Sequence, residues 1–426
     1  MTFLHELQWR ELIHDASDSV SQALSGLEPM TGYIGFDPTA PSLHVGSLVP
    51  IMGLLRLQRA GHHPIALVGG GTGLIGDPSG KAQERSLQTP EEVERNTQGI
   101  HRQLEPFLDF QARVNPARMV NNLDWLGGIR AVDFLRDVGK HFSVNSLMRK
   151  EAVRRRLENE ETGVSYTEFS YVLLQAYDFL ELNRRHGCTL QMGGSDQWGN
   201  IVAGIELVRR AEGTRVHGLT FPLVTTSSGV KFGKTEAGTI WLDPSRTSPF
   251  RFYQFWLNVE DRDALRYLRY FTLLERDRVE ELGWGVTNRP QDREAQRALA
   301  EDVTRRVHGE TGLSRAQQAT RVLFGGELEG LAGEDIAEIF SHVPSSRIPR
   351  EALEGEGKAL TELLTEAGVT TSRGEARRAI EQGGVYLNNR RVEGAAARVE
   401  AEDTLEGRFL LLRKGKRQYH LVEVEG

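Results

Sequence analysis

Apolar and polar positions follow two alternating periods along the first half of the chain. Tyr33–Phe36 is a short apolar run with aromatic and β-branched members, the pattern of a strand. Asp37-Pro38-Thr39-Ala40-Pro41-Ser42 interrupts regular structure twice with proline. Apolar residues resume at Leu43, and Leu48, Met52 and Leu55 recur at helical spacing up to Gly61, a helix stop. Residues 1–32 form a helical lead-in. Pro64–Val68 reads as a second strand that runs into the glycine-rich stretch from Gly69 to Lys81. Helices are expected from about Pro90 to Phe110 and from Trp125 to Glu158. Ser165-Tyr166-Thr167-Glu168 has capping-box spacing and opens a helix that ends at Gly187. Thr189–Met192 is a strand, Gly193–Gly199 a loop, Ile201–Ala211 a helix and Leu219–Val224 a last strand. Strands alternating with helices predict an α/β fold with a doubly wound, Rossmann-like parallel sheet, whose ligands sit at the carboxyl ends of the strands.

The pattern changes after residue 224. Thr225–Gly238 is a loop, and from Ser248 to Phe324 the periodicity is almost wholly helical, over Phe250–Trp256, Arg262–Leu274 and Ala295–Val307. Residues 325–358 are rich in Gly, Glu, Ser and Pro and read as a linker. Ala359–Ala367 is a helix, and Ser372-Arg373-Gly374-Glu375 opens another with capping-box spacing. Val385–Val392 turns at Asn388-Asn389, and Arg408–Val424 forms a hairpin around Lys414-Gly415. The expected organisation is a Rossmann-like domain at 1–224 with a helical insertion at about 120–160, and a loop and connector at 225–247. An α-helical domain at 248–325, a linker at 326–358 and a small α+β domain at 359–426 follow.

Composition narrows the classes. No apolar run approaches the ~18 residues of a membrane span, and the first ten residues are charged with no apolar signal core behind them. Cys188 is the only cysteine, which excludes an internal disulfide and every multi-cysteine metal site and fits the cytoplasm. A net charge of −7 leaves nucleic-acid contact to local basic patches.

Candidate chemistry lies in the loops. The connection between the first strand and its helix is a natural anion site, because a helix N-terminus presents free N–H groups, and Thr39, His44 and Gly46 surround it. An ordinary connection with a surface histidine has the same sequence. Gly71-Thr72-Gly73-Leu74-Ile75-Gly76 matches the spacing of a dinucleotide loop. The residues after it, Asp-Pro-Ser-Gly, do not open a helix, so a nicotinamide or flavin role is rejected. Gly233-Lys234-Thr235 lacks the first glycine of a P-loop, where Ser228 stands. Tyr171, Gln175 and Asp178 share one face of an otherwise apolar helix, either as a closed internal network or as a wall that hydrogen-bonds a small polar ligand. Gly193-Gly194-Ser195-Asp196-Gln197 puts an acid and an amide at a strand's carboxyl end. Lys231 and Lys234 sit on a glycine-containing loop, solvated or poised for phosphate. A basic run at Arg149, Lys150, Arg154, Arg155 and Arg156 lies in the second long helix, and Arg373, Arg377, Arg378, Arg390, Arg391, Arg408, Arg413, Lys414, Lys416 and Arg417 crowd the tail. In a net-acidic chain this points to RNA more than to a solvated hairpin.

In their order, Tyr33–Ser47, Gly76–Lys81, Ser170–Asp178, Gly193–Asn200 and Lys231–Thr235 resemble the signature regions of the bacterial tyrosyl-tRNA synthetases, class I aminoacyl-tRNA synthetases. The tail from Ala359 resembles the S-four-type RNA-binding fold. The resemblance covers nearly the whole chain. It implies a tyrosine–tRNA ligase that joins L-tyrosine to ATP as tyrosyl-adenylate, releasing pyrophosphate, and passes the tyrosyl group to the 3′ end of tRNA(Tyr). It implies Mg2+ with the ATP, no protein-bound structural metal, and a homodimer formed through the insertion. It makes 225–247 a mobile catalytic loop and connector, and 248–325 an anticodon-binding domain.

The same resemblance implies site roles. Tyr33 and Asp178 bind the substrate phenol, Asp77, Tyr171 and Gln175 its ammonium, and Gln197 lies near its carboxylate. Asp37, Gly46, Ser47, Gly194 and Asp196 belong to the ATP site, with Gly194 and Asp196 on the ribose. Thr39, His44, Lys231 and Lys234 meet the phosphates, with Lys81 and Arg85 as further catalytic candidates. Arg149, Lys150, Arg154, Arg373, Arg377, Arg378, Arg413, Lys414, Lys416 and Arg417 are the tRNA-binding set.

Two departures stand out. Ser47 occupies the last position of the first signature, where the family carries histidine, so it cannot stack on adenine. Pro50 lies inside the expected helix and predicts a bend just behind the ATP site. Two rival functions are the same chemistry on tryptophan and a non-catalytic RNA-binding derivative. Tyr33 with Asp178 argues against the first, and retention of Thr39, His44, Lys231 and Lys234 against the second.

Overall fold

The computed structural model describes residues 2–26, 28–77, 88–148, 154, 164–227, 229, 232–235 (backbone alone at 234 and 235), 238–323, 325–326, 328, 331–415 and 418–425. The chain divides into two compact units, one of residues 1–248 and 255–307, the other of 249–254 and 308–426.

The first unit is built on five parallel strands, β1 (Thr31–Phe36), β2 (His63–Val68), β3 (Arg118–Asn121), β4 (Cys188–Gly194) and β5 (His217–Phe221), in the order β3-β2-β1-β4-β5. The chain runs outward from β1 in one direction through β2 and β3, then returns to start in the other at β4. The carboxyl ends of β1 and β4 therefore flank a topological switch point, where such sheets open a crevice. Of these strands, β3 is absent from the sequence pattern, because it is a short edge strand with no fully buried side chain.

Helices cover both faces. Two short helices, α1 (Phe3–Trp9) and α2 (Val20–Leu24), precede the sheet, and α3 (Leu48–Arg59) follows β1. The capping box of α4 (Pro90–Leu104) is formed by Thr89 and Glu92. The expected single helix from Trp125 is instead α5 (Leu123–Leu126), α6 (Ala131–Asp137) and α7 (Val144–Met148) within the described residues. Gly127-Gly128 separates the first two, since glycine disfavours helix. Ser165 caps α8 (Tyr166–His186), accepting from the Glu168 amide at 3.2 Å, and Gly187 closes it at φ 60°. With α9 (Trp198–Glu212), α8 packs over Tyr33, Ile65 and Leu67 through Val172, Ala176, Phe179 and Leu207. Gly32, one residue before Tyr33 and so on the opposite face, has no room for a Cβ because Leu57 of α3 would lie 2.9 Å from it.

Pro50 does not bend a running helix. A 3-10 turn at Val45–Ser47 comes first, and α3 begins at Leu48, so Pro50 falls in the first turn where its missing N–H removes no α-helical bond.

A hairpin of β6 (Lys234–Thr235) and β7 (Gly238–Thr239) leads to α10 (Pro249–Leu257), α11 (Asp261–Phe271), α12 (Arg276–Asn288) and α13 (Glu294–Leu323). The helical periodicity that ends at Val307 reflects an interruption of α13 at Gly309, φ 71°. Within the first unit, two buried guanidiniums grip the C-terminal end of α11. Arg10 donates to the carbonyls of Arg269, Thr272 and Leu274 at 2.9–3.0 Å, and Arg56 of α3 donates to those of Tyr270 and Thr272 at 2.9 Å. Glu6 lies 3.1 Å from Arg10 and 3.7 Å from Arg56. Helix C-termini leave carbonyls unpaired and carry partial negative charge, which compensates cations taken out of water.

In the second unit, α14 (Gly333–Ile339), β8 (Ser345–Pro349), β9 (Lys358–Ala359), α15 (Leu360–Glu366) and α16 (Arg373–Glu381) precede β10 (Val385–Leu387), β11 (Arg390–Arg391), β12 (Arg398–Val399), β13 (Phe409–Lys414) and β14 (Gln418–Glu425). The main sheet has the order β11-β10-β13-β14-β8. Asn388 and Asn389, both at positive φ, make the expected turn. Residues 326–358 are not merely a linker. In this segment β8 pairs in parallel with β14, and Ile336, Ile339 and Phe340 of α14 bury against Phe409, Leu411 and Leu421. The opposite side of that sheet, Leu410, Leu412 and Val422, packs on Leu360, Leu363 and Ile380 of α15 and α16. The apolar run Phe409–Leu412 is thus buried on both faces, and the low-complexity look of 326–358 hides one of its covers.

The Arg56 contacts are worth testing by themselves. Arg56→Ala removes one partner of a buried charge cluster and is expected to cost about 3 kcal/mol of stability. Urea unfolding of the variant should show the loss, while Arg209→Ala, on an exposed helix face, should leave the midpoint in place. An unchanged midpoint for Arg56→Ala would contradict the role given to the clamp.

Candidate active site

At the switch point a cavity of about 380 Å3 opens between the carboxyl ends of β1 and β4. Its lining includes Tyr33, Asp37, Thr39, His44, Gly46, Ser47, Asp77, Tyr171, Gln175, Asp178, Gly194, Asp196 and Gln197. Every site residue expected for amino acid or nucleotide and lying among the described side chains is brought together here. Lys81, Arg85 and Lys231 lie outside the described residues, as do Arg149, Lys150, Lys416 and Arg417. Lys234 is placed by its backbone in β6.

The inner end is made by β1, β4 and α8. Tyr33 pairs in register with Gln191 on the neighbouring strand. Both side chains are buried, and the Tyr33 hydroxyl and the Gln191 Oε1 have no hydrogen-bond partner among the described residues. An unpaired buried polar atom costs about 1–3 kcal/mol, so two of them on one cavity mark a place for a polar ligand. Asp178, 2 % exposed, accepts from Trp125 Nε1 at 2.8 Å and from Asn122 Nδ2 at 3.0 Å. Burial, opposed by these two bonds, pushes the Asp178 carboxyl up from 3.8 to about 7. Burial also raises the Tyr33 phenol well above its ordinary value, with the Asp178 charge adding to the shift.

The wall continues as two hydrogen-bond chains. Asn122 donates to Thr72 at 2.9 Å, Thr72 to Asp37 at 2.8 Å, and the Tyr171 hydroxyl to the other Asp37 oxygen at 2.8 Å. Asp37, expected at the nucleotide, is therefore engaged by Thr72 and by Tyr171 of α8. In the second chain Asn200 donates to Gln175 at 3.0 Å, Gln175 to Gln197 at 3.1 Å, and Gln197 to Asp77 at 2.8 Å. The polar stripe of α8 is thus both a network and a pocket wall. Asn122, Trp125, Thr72, Gln191 and Asn200 were not singled out from sequence. One signal was available: a carboxylate on a buried helix face requires donors, and they stand just after β3.

The outer end is built from backbone. The Gly46 amide donates to His44 Nδ1 at 2.9 Å, so the neutral imidazole carries its proton on Nε2. A side chain at Gly46 would put Cβ 2.6 Å from that ring, which is why glycine stands there. Leu43 and Val45 pair with the segment after β7: Val45 N–H donates to Ile240 O at 3.0 Å and Leu242 N–H to Leu43 O at 2.9 Å. Gly233, at φ 79°, lies against Val45, and its carbonyl accepts from Ile240 N–H at 3.0 Å. The preceding Phe232 is buried among Phe255, Trp256, Tyr267 and Phe271, with ring centroids 4.9–5.6 Å away. Among the described residues no three of His, Cys, Asp or Glu are grouped so as to hold a metal ion, and no helix is long and apolar enough to cross a membrane.

The basic residues of the tail divide. Arg373, Arg377 and Arg378 are exposed on α16, and Arg154 is exposed. Arg413 instead stacks 3.7 Å over Tyr386, and Lys414 binds Glu375 at 2.6 Å, holding that carboxyl at about 2. Arg373 and Arg377 are paired as well, with Glu362 at 2.6 Å and Glu381 at 3.1 Å, but at more exposed positions.

Residues 26–325 match the family model of tRNA synthetases class I (W and Y), and residues 335–422 match that of the tyrosine–tRNA ligase SYY-like C-terminal domain. The tyrosine–tRNA ligase of Roseiflexus castenholzii is 54 % identical over 99 % of both chains, and that of Bacillus caldotenax is 52 % identical over the same shares. Among solved structures, a C-terminally truncated mitochondrial tyrosyl-tRNA synthetase of Aspergillus nidulans matches with a TM-score of 0.69 at 30 % identity, covering 76 % of this chain and 94 % of that one.

The raised Asp178 value ties pH to stability. Its folded value, about 7, lies above its ordinary 3.8, so the folded chain holds a proton that the unfolded chain releases. This contribution is fully present below about pH 4 and is lost as pH rises through about 7. The melting temperature of the ligand-free protein minus that of Asp178→Asn is expected to fall between about pH 5 and about pH 8. A difference that stays constant over this range would contradict the assignment.

Proposed function

The chain belongs to the class I tRNA synthetases of the tryptophan and tyrosine type and is a tyrosine–tRNA ligase, and on that premise we propose how its residues divide the work. The observation that carries the substrate assignment is the pairing of Asp178, held by two donors in a dry wall, with the unpartnered hydroxyl of Tyr33. One phenol satisfies both, donating to the carboxylate and accepting from Tyr33. An indole offers a donor and no acceptor, and a phenyl ring offers neither.

The tyrosine ammonium is held by Asp77, Tyr171 and Gln175, and Gln197 lies toward its carboxylate. ATP lies outward, its ribose against Gly194 and Asp196 and its phosphates near Thr39, His44, Ser47 and the N-terminus of α3. Magnesium enters as part of the nucleotide, coordinated by its phosphates. The tyrosine carboxylate attacks the α-phosphorus, and pyrophosphate departs with the electron pair of the broken P–O bond. The terminal adenosine hydroxyl of tRNA(Tyr) then attacks the tyrosyl carbonyl, and AMP leaves. Neither step requires a covalent enzyme intermediate. The residues act by placing the two substrates and by meeting charge as it grows on the transferring phosphate. The proton on His44 Nε2 serves this purpose, with Lys231, Lys234, Lys81 and Arg85 as further cations.

The remaining assignments extend this reading. The helices of residues 248–325 take the anticodon arm, and the domain beginning near 359 takes RNA through the exposed Arg373, Arg377 and Arg378. Val132, Leu135, Val144 and Met148 are exposed apolar residues on α6 and α7, and support a homodimer formed through this insertion. The enzyme works in the cytoplasm.

ATP–pyrophosphate exchange is expected with tyrosine and only weakly with phenylalanine or tryptophan. Tyr33→Phe should narrow the tyrosine–phenylalanine gap by about tenfold, the worth of one buried hydrogen bond. Equal exchange with all three amino acids would overturn the phenol assignment.

A further inference from the structure

The contacts around the outer end of the site form a closed ring. It begins at His44–Ser47, where α3 starts, and runs down α3 to Arg56. Arg56, 1 % exposed, grips the carbonyls at the C-terminal end of α11, and Arg10 grips the same end. Along α11 the ring then meets the loop after β5. Tyr267 and Arg266 donate to the Thr225 carbonyl at 3.1 and 2.6 Å, and Asp263 accepts from the Ser227 amide at 2.8 Å. Phe271, in the last turn of α11, stacks on Phe232 with centroids 5.2 Å apart and 14° between the planes. From Phe232 the chain passes to Gly233, which touches Val45, and the segment after β7 pairs with Leu43 and Val45. The ring is then closed on the residues where it began.

We propose that Arg56 is a positioning residue for phosphoryl transfer: by fixing α11 on α3 it sets where the Phe232–Lys234 backbone stands relative to His44. This rests on the adenylation chemistry given above and adds a residue to it, remote from the substrates. Three features support it. The grip is made by side chains with almost no exposure, so it is stiff. Its acceptors, with those of Arg10, are four backbone carbonyls between Arg269 and Leu274, so a shift of α11 breaks several bonds together. Both ends of α11 act on the same loop, through Ser227 and Thr225 at one and Phe232 at the other. A packed ring has discrete arrangements instead of graded ones, and a displacement of about 1 Å at a reacting group can cost about 100-fold in rate.

The test uses the full chain and three variants, Arg56→Lys, Phe232→Leu and the double variant. Lysine keeps the charge but is shorter and lacks the planar guanidinium, whose Nη2 alone reaches the Tyr270 and Thr272 carbonyls. Three readouts are needed: the single-turnover rate of tyrosyl-adenylate formation, the tyrosine dissociation constant, and amide hydrogen exchange at Val45, whose N–H closes the ring. For Arg56→Lys the rate should fall about 10- to 100-fold. Tyrosine affinity should stay within about twofold, because Tyr33 and Asp178 lie outside the ring, and Val45 should exchange faster. The double variant should lose less than the product of the single losses, since either cut opens the same ring. If Arg56→Lys does not fold, Phe232→Leu cuts the ring at the other end and carries the same expectation. A folded variant with an unchanged rate, a parallel loss of tyrosine affinity, or losses that multiply independently would overturn the proposal. Wild-type protein inactive with tyrosine would instead sink the adenylation reading itself, so the two failures are distinguishable.

Discussion

A carboxyl group removed from water is the constraint on which the site depends. Asp178 is 2 % exposed and packed beside the apolar Val172, Ala176, Phe179 and Leu182 of its helix, and an isolated charge there would be prohibitively unfavourable. Trp125 and Asn122 make it tolerable without neutralising it, which leaves the carboxyl near pH 7 poised between two states. Those donors come from the segment just after β3, so an edge of the sheet is tied to α8. From Asn122 the order spreads through Thr72 and Asp37 to Tyr171, and the pocket wall is fixed before any ligand arrives.

The outer half of the site obeys different physics. Among the described residues the positions are set by backbone pairing, by the Gly46–His44 bond, and by an aromatic cluster that holds Phe232. A rigid inner pocket suits selection of a small amino acid. An outer rim tied to helices at some distance suits a triphosphate that must enter, react and leave in part. Arg56 ties that rim to the helical part of the first unit, since α3 begins beside His44–Ser47 and carries Arg56 near its other end.

The doubly wound sheet was legible because β1, β2, β4 and β5 are apolar runs bounded by turn residues, and α8 announces both ends with Ser165 and Gly187. The inner site was legible in part: Tyr171, Gln175 and Asp178 show as a polar stripe at helical spacing. Their donors were not, since Asn122 and Trp125 are ordinary residues until the fold places them on Asp178. Pro50 misled because its effect depends on where the helix begins, and a 3-10 turn moved that start to Leu48. The cover over Phe409 and Leu411 was hidden among Gly and Glu residues that resemble a linker. For Arg413 and Lys414, read from sequence as tRNA-binding, a sequence does not show that Tyr386 and Glu375 meet them.

The most direct test of the account is the proton balance of tyrosine binding. If a phenol donates to Asp178, binding converts a half-protonated carboxyl into a carboxylate. Calorimetric titration of the ligand-free protein with tyrosine at about pH 7, in two buffers of different ionisation enthalpy, should therefore show release of about half a proton. Asp178→Asn should show none of it. Proton uptake, or the same release from the variant, would contradict the claim that this buried carboxyl recognises the substrate.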